Sequence, residues 1–355
     1  MKILFVFYVP SGGMETLNRQ RAIALKQSGI HCDFLYYSKR RKLINHKDSN
    51  VFITNNDIEI KGILEKGKYN AVVITSDYVA MERFRKLGFK GKIIFEMQGL
   101  GPKSMARTHL QHAIPFVQKY CNGLLYPKTP YIGVLLREFF KSTPIFEFNN
   151  CFDHKAFTYQ KHPKLERPII AWIGRLEDNK NWREFLHIGH QLIKKNKNIV
   201  LYMFEDPSLS TPQERNEFIL LKSRLNLDKH IHLLQNVPNS QMPGYFSRIG
   251  DSGGFLCSTS KVEGAPYSLL EAMSCKCPVL TTDSDGVRSM IIHNKSGKYY
   301  QIGNINHAVK QAEELMLNTP LRTYIIENAL VHLQSQFSYT QYSNKFMKML
   351  KDIGV

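Results

Sequence analysis

The sequence contains no apolar run approaching the roughly 20 residues that a membrane-spanning helix needs. It is also poor in organised cysteine. Six cysteines are scattered along the chain, and only Cys275 and Cys277 stand close, as C-x-C. No second pair and no histidine pair lies at zinc spacing, which argues against a metal centre or a disulfide framework. Buried thiols in a reducing cytosol are the expectation, and with them a cytoplasmic location. Acidic residues are scarce: Asp plus Glu number 30 against 48 Lys plus Arg, giving a net charge of +18. A field of that sign attracts polyanions. No RNP-type or zinc-finger pattern is present, so nucleic acid is not the expected partner. An anionic polymer or an anionic membrane face, touched peripherally, accounts better for the excess. The two basic runs, Ser38–Lys42 and Lys194–Lys197, are short and read as solvated faces. The opening "MKILFVFYVP" has no small-residue cleavage site and reads as a first buried strand, not as a signal peptide.

What is present is a chain of 355 residues, comfortable for two ordinary domains. Hydrophobic residues make up 43%, enough for a core in each half, and charged residues 22%, close to the globular average. Short apolar runs alternate with helical patterns from end to end. In the first half the strand-like runs begin with "KILFVFYV" and "HCDFLYY" and continue at 71–75, 92–97, 123–127 and 144–148. A helical pattern after the first run stops at Gly29, a fitting C-cap. From Asn149 to Pro168 the pattern pauses in a polar, proline-containing connection. It then restarts, with runs at 169–174, 198–204, 230–234, 253–258 and 278–282, and the tail from Asn304 is helical almost throughout. This predicts an α/β fold of two doubly wound, Rossmann-like parallel sheets covered by helices, facing across a cleft. The expected domains are 1–150, 151–336 and a C-terminal helix, 337–355, packing back on the first domain.

Three segments carry chemistry. "PSGGME" (10–15) joins the first strand to the first helix. Gly12 and Gly13 there allow close backbone approach to a ligand, or simply make a tight turn. "GRLEDNKN" (174–181) follows the first strand of the second half. Its Arg175 and Lys180 suit a diphosphate, the one as a planar fork and the other as a point charge. The plainer reading is two solvated cations. "VEGAPYSLLEAMSCKCPVLTTDSDG" (262–286) holds Glu263 and Glu271, eight positions apart. Ser268 and Glu271 read as a capping box, with Ser268 as N-cap. Beside that structural role, Gly264, Ala265 and Pro266 keep the turn small, and the helix start presents free N–H groups to an anion. The two acids then reach different parts of one ligand, as acceptors for sugar hydroxyls.

These segments, in order, are similar to those of the retaining family-4 glycosyltransferases, which have the GT-B fold. "EGAPYSLLEAMSCKCPVLTTDSDG" resembles their E-x7-E signature, "GRLEDNKN" their phosphate loop, and "SGGMETLNRQRAIAL" their first glycine-rich loop. "NNCFDHKAF" (149–157) resembles their linker, and "HNKSGKYY" (293–300) the segment before their last helices. The resemblance implies that Glu271 holds the ribose of a nucleotide sugar and Glu263 the sugar ring. It implies Arg175 and Lys180 on the diphosphate, with the backbone of Gly264, Ala265, Pro266, Tyr267, Ser268 and Leu269 nearby. It places Gly12 and Gly13 close to donor phosphate or acceptor. Two departures stand out: Gln98 where the family often has histidine, and "FEDPS" (204–208) in place of a G-x-G.

The implied reaction is transfer of a hexose or N-acetylhexosamine from a nucleotide-diphosphate donor with retention. UDP-glucose and UDP-N-acetylglucosamine are the commonest donors in that family. The acceptor would be an anionic glycan, a polymer of the cell envelope or a lipid-linked chain. No metal cofactor is expected, because cations and the helix end neutralise the leaving group. An epimerase or phosphorylase on the same fold, or a nucleotide-sugar-binding protein without turnover, are the alternatives.

Overall fold

Strands that are apolar on both faces must be covered on both faces, and the computed structural model has that arrangement. It describes residues 1–10, 12–39, 49–101, 103–163 and 165–355, without the side chains of Lys103 and Asp285. Ser11 of the first glycine turn, residues 40–42 of the first basic run and Lys164 of the connection lie outside the described residues. The chain divides into two compact units, residues 1–153 with 336–355, and residues 154–335.

In unit 1 the strands are β1 (Lys2–Phe7), β2 (His31–Tyr36), β3 (Val51–Ile53), β4 (Ala71–Thr75), β5 (Lys92–Glu96), β6 (Gly123–Tyr126) and β7 (Ile145–Glu147). They form one parallel sheet in the order β3-β2-β1-β4-β5-β6-β7. The intervening helices are α1 (Gly12–Lys26), α2 (Asp57–Gly67), α3 (Val79–Lys86), α4 (Lys103–Tyr120) and α5 (Pro130–Phe139). The "AVVIT" of β4 is buried at every residue, so its alternate side chains feed two separate core layers. Gly29 ends α1 as expected: at φ +73° it lets the Ile30 amide reach back to the Leu25 carbonyl at 3.1 Å.

Unit 2 repeats the plan. Its strands are β8 (Ile169–Ile173), β9 (Val200–Glu205), β10 (Ile231–Gln235), β11 (Phe255–Ser258), β12 (Val279–Thr282) and β13 (Lys298–Tyr300). They form a parallel sheet ordered β10-β9-β8-β11-β12-β13. Its helices are α6 (Trp182–Lys195), α7 (Pro212–Arg224), α8 (Met242–Asp251), α9 (Tyr267–Ser274), α10 (Ile305–Leu317) and α11 (Thr319–Gln336). The last helix, α12 (Tyr339–Asp352), belongs to unit 1 and packs against α1. Its Tyr342, Phe346, Met349 and Leu350 join Phe5, Phe34 and Phe148 in one core layer.

Sequence reasoning overlooked two of the shortest strands, β3 and β13. Each is three residues long, and β7, equally short, is read only as part of the longer run at 144–148. Both sheets reverse direction of growth next to their first strand, between β1 and β4 in unit 1 and between β8 and β11 in unit 2. In open α/β sheets ligands bind at the carboxyl ends of the strands at such a switch point.

Unit 1 also buries an ion pair that no motif announces. Arg21 of α1 meets Glu96 at the end of β5 through three contacts of 3.0–3.1 Å, with side chains 0% and 1% exposed. The Thr75 hydroxyl donates to the same carboxylate at 2.6 Å, and the Arg21 guanidinium lies 4.4 Å from the Phe5 ring centre. Burial opposes the Arg21 charge, and the Glu96 carboxylate more than offsets it, so the guanidinium is held above its ordinary pKa. Removing one partner leaves a buried charge unpaired. Arg21→Met is therefore expected to destabilise unit 1 by about 3–5 kcal/mol. Urea unfolding followed by tyrosine fluorescence reads this, and an unchanged midpoint would contradict it.

Candidate functional site

The loops after β8 and β11 flank the switch point of unit 2. Gly174 leaves β8; a Cβ there would meet the Trp172 ring at 2.8 Å and Lys180 at 3.2 Å. The chain then makes one turn of 3-10 helix, Asp178–Lys180, ended by Asn181 at φ +51°. The second loop, 259–266, runs alongside. Asn179 joins the two: its Nδ2 donates to the Val262 carbonyl and its Oδ1 accepts from the Val262 amide, both at 3.2 Å. The Lys261 amide donates to the Asn179 carbonyl at 2.8 Å, and Lys261 Nζ reaches Asp178 at 2.6 Å. Thr259 closes the base. Its hydroxyl donates to the carbonyls of Lys180 (2.9 Å) and Asn181 (3.0 Å) and accepts from Trp172 Nε1 at 3.1 Å.

This stitching brings together two residues 83 positions apart: the Lys180 ammonium donates directly to Glu263 Oε1. Both are partly buried. Behind them Gly286 passes so close that a Cβ would sit 1.8 Å from the Gly264 carbonyl oxygen, and its amide donates to the Glu263 carbonyl at 3.0 Å. Arg175 is half exposed and held at 2.9 Å by Glu177 of its own loop. The two cations singled out from the sequence thus each rest on a carboxylate. Lys180, Glu263 and Gly264 share one neighbourhood, and Arg175 stands on the first loop beside it.

Helix α9 continues from the second loop, and here one expectation fails. The N-cap is Pro266, not Ser268, and Pro266 makes no side-chain cap hydrogen bond. Ser268 is the second helical residue and Glu271 the fifth, so the capping box does not form. With Pro266 as N-cap the helix starts at Tyr267, two residues earlier than a Ser268 cap would start it. Glu271 is buried within α9, one turn beyond the start of the helix. Tyr267 and Leu269 are buried too, with Ala265, Pro266 and Ser268 partly open.

Gly12 and Gly13 belong to unit 1. They do not form a turn between β1 and α1 but are the first two residues of α1, with Gly12 at φ +61°. Among the described residues, a Cβ at either would meet nothing within 4 Å. Gln98, also in unit 1, is fully engaged. Its Nε2 donates to Glu96 at 2.9 Å and Asn150 at 3.1 Å, and its Oε1 accepts from Asn150 at 2.7 Å. The "FEDPS" departure has a physical content as well. Glu205 is buried at the end of β9 and gripped by Arg215 at 2.6 and 2.7 Å, while Asp206 accepts from the Ser208 amide at 3.0 Å. Among the described residues no cluster of three metal-ligating side chains is present.

Asn179, Thr259 and Gly286 were not singled out from the sequence. Asn179 and Gly286 lie inside the quoted segments, but pairing across 83 residues leaves no local periodicity to read.

Residues 155–331 match the family model described as glycosyl transferases group 1. Among curated proteins, an uncharacterized glycosyltransferase of Haemophilus influenzae is 23% identical over 222 residues, 62% of this chain and 54% of the relative. The capsular polysaccharide biosynthesis glycosyltransferase CapM of Staphylococcus aureus is 20% identical over 181 residues, 50% and 45% of the two chains. The match thus spans about half the length of these relatives. Among solved structures, HepE of Anabaena, crystallised with UDP and glucose, superposes with a TM-score of 0.81 at 14% identity, over 99% of this chain and 100% of that one. At that identity the likeness gives the fold, which is GT-B.

Proposed function

We propose, from the membership of this chain in the glycosyl transferases group 1 family, that it transfers a hexose or N-acetylhexosamine from a nucleotide-diphosphate sugar with retention, in the manner of the family-4 enzymes. The observation that carries this reading is the Lys180–Glu263 contact at the switch point of unit 2. It sets a cation and a sugar-binding acid beside the start of α9, where the N-cap residue, Pro266, makes no side-chain cap hydrogen bond. Binding of UDP and glucose by HepE supports a uridine diphosphate donor here.

Cleaving the sugar–phosphate bond leaves positive charge at the anomeric carbon and an additional negative charge on the diphosphate. In this reading Lys180, Arg175 and the amides of Gly264, Ala265, Tyr267 and Ser268 stabilise that anion, and fixed donors need no reorganisation during the reaction; the Leu269 amide is spent on the Pro266 carbonyl at 3.2 Å. This chemistry calls on no metal. Glu263 orients the sugar ring, and Glu271 accepts hydrogen bonds from the ribose. The leaving phosphate takes the acceptor hydroxyl's proton on the same face, and that oxygen forms the new glycosidic bond. The acceptor is a glycan, a glycopolymer or a lipid-linked chain, and the charge of +18 is the reason to place it on an anionic polymer or at an anionic membrane face. No helix among the described residues is long and apolar enough to cross a membrane.

Hydrogen bonds to charged groups are worth about 1.5–3 kcal/mol, roughly a tenfold or greater change in affinity. Lys180→Ala and Glu271→Ala are each expected to weaken UDP binding by at least about tenfold in titration calorimetry, and unchanged affinity in both would defeat the assignment. Glu263→Gln separates the roles. It frees Lys180, so UDP binds at least as tightly while transfer slows by about tenfold or more. Co-sedimentation with anionic vesicles is expected to fall as salt rises toward 1 M, where the screening length is about 3 Å. Salt-independent binding would rule out the electrostatic basis.

A further inference from the structure

Lys180 stands between two asparagines, and each is held by a partner of its own. Asn179 is latched to Val262; Asn181 is latched to Glu184. Asn181 ends the 3-10 turn and precedes α6 at φ +51° and ψ +44°, a left-handed conformation that asparagine adopts at some cost and glycine freely. Its side chain makes no cap hydrogen bond to α6. The carboxamide Nδ2 donates instead to Glu184 Oε2 at 2.5 Å. Glu184 is the third residue of α6, where the positive end of the helix favours a carboxylate, and it is only 8% exposed. Its other oxygen accepts from the Gly303 amide at 3.1 Å, so the connection from β13 to α10 braces it from the far side. The left-handed turn brings the carbonyls of Lys180 and Asn181 onto the one Thr259 hydroxyl, which Trp172 Nε1 anchors in turn.

We propose that Glu184 is a positioning residue for the donor site: it holds Asn181 left-handed and thereby aims the Lys180 ammonium at Glu263 and at the diphosphate. Glu184 acts through Asn181 and touches no reacting atom. Without the carboxylate the left-handed backbone loses its side-chain support. A swing of Asn181 toward negative φ parts the two carbonyls that share Thr259, and it carries Lys180, the residue before it, away from Glu263. Asn181→Gly occupies the same backbone with no side-chain bond, so it removes the need for Glu184. The role rests on the reading of unit 2 as a nucleotide-sugar site and deepens it. The aim of Lys180 at Glu263 is nevertheless measurable with no nucleotide present.

Trace acetylation of the full chain with acetic anhydride, read by mass spectrometry, tests this through the rate at Lys180 relative to the exposed Lys61. UDP titration calorimetry and melting temperatures are measured alongside. Glu184→Ala is expected to raise the relative Lys180 rate about threefold or more and to weaken UDP about fivefold or more. The double variant Glu184→Ala/Asn181→Gly should bring both back to about the wild-type values, while the melting temperature lost with the Gly303 contact stays lost. A role in stability alone gives the opposite pattern, a lower melting temperature with labelling and affinity unaltered. Asn181→Ala keeps Glu184 but disfavours the left-handed backbone; it should raise Lys180 labelling too, and it decides the matter if Glu184→Ala fails to fold. Unchanged labelling in Glu184→Ala or in Asn181→Ala, or a rise in Glu184→Ala that Asn181→Gly does not reverse, would overturn the proposal. The expected labelling pattern in a protein that UDP, ADP and GDP all fail to bind would support the positioning role and count against the donor reading. UDP binding with labelling unaltered in the variants would do the reverse.

Discussion

The candidate site of unit 2 depends on one side chain reading another segment's backbone, the Asn179 carboxamide paired with both polar groups of Val262. Each such bond contributes only about 1 kcal/mol. Its importance is positional. Lys180 follows Asn179 and Glu263 follows Val262, so fixing the first pair fixes the second. Functional groups must be held to within about 0.5 Å, and two loops that met only through exposed charges would not achieve that. Thr259 below and Gly286 behind leave the same loops little freedom.

The acids beside the two cations are consistent with a site for an anion. Exposed ion pairs are worth about 0–1 kcal/mol, so Glu177 is easily displaced from the half-exposed Arg175. It keeps the guanidinium oriented until then. The partly buried Lys180–Glu263 pair costs more to separate, which suits a ligand that engages both residues at once: a diphosphate for the cation and a sugar for the acid.

Much of the architecture was legible because it follows from burial. Runs such as Ala71–Thr75 and Ile169–Ile173 are apolar without alternation, and only a sheet covered on both faces accommodates them. The three-residue β3 and β13 were missed, while the equally short β7 was read within the run at 144–148. Of the residues singled out by type, Arg175, Lys180, Glu263 and Glu271, the structure joins Lys180 to Glu263 and places Glu271 inside α9. The capping box did not survive, because Pro266 sets the helix start and local patterns cannot rank competing caps. Contacts across long sequence separations, such as Arg21–Glu96, Asn179–Val262 and Gly286–Gly264, left no trace in the sequence. They are products of the fold; of the three, only the Arg21–Glu96 pair touches Gln98, which donates to Glu96.

Hydrogen–deuterium exchange on the full chain, with and without saturating UDP and with ADP and GDP alongside, tests the central claim most directly. Slowed exchange of the amides in 174–181 and 259–271 with at least one nucleotide is the expected result. Exchange there unaltered by all three, with protection elsewhere or nowhere, would contradict it.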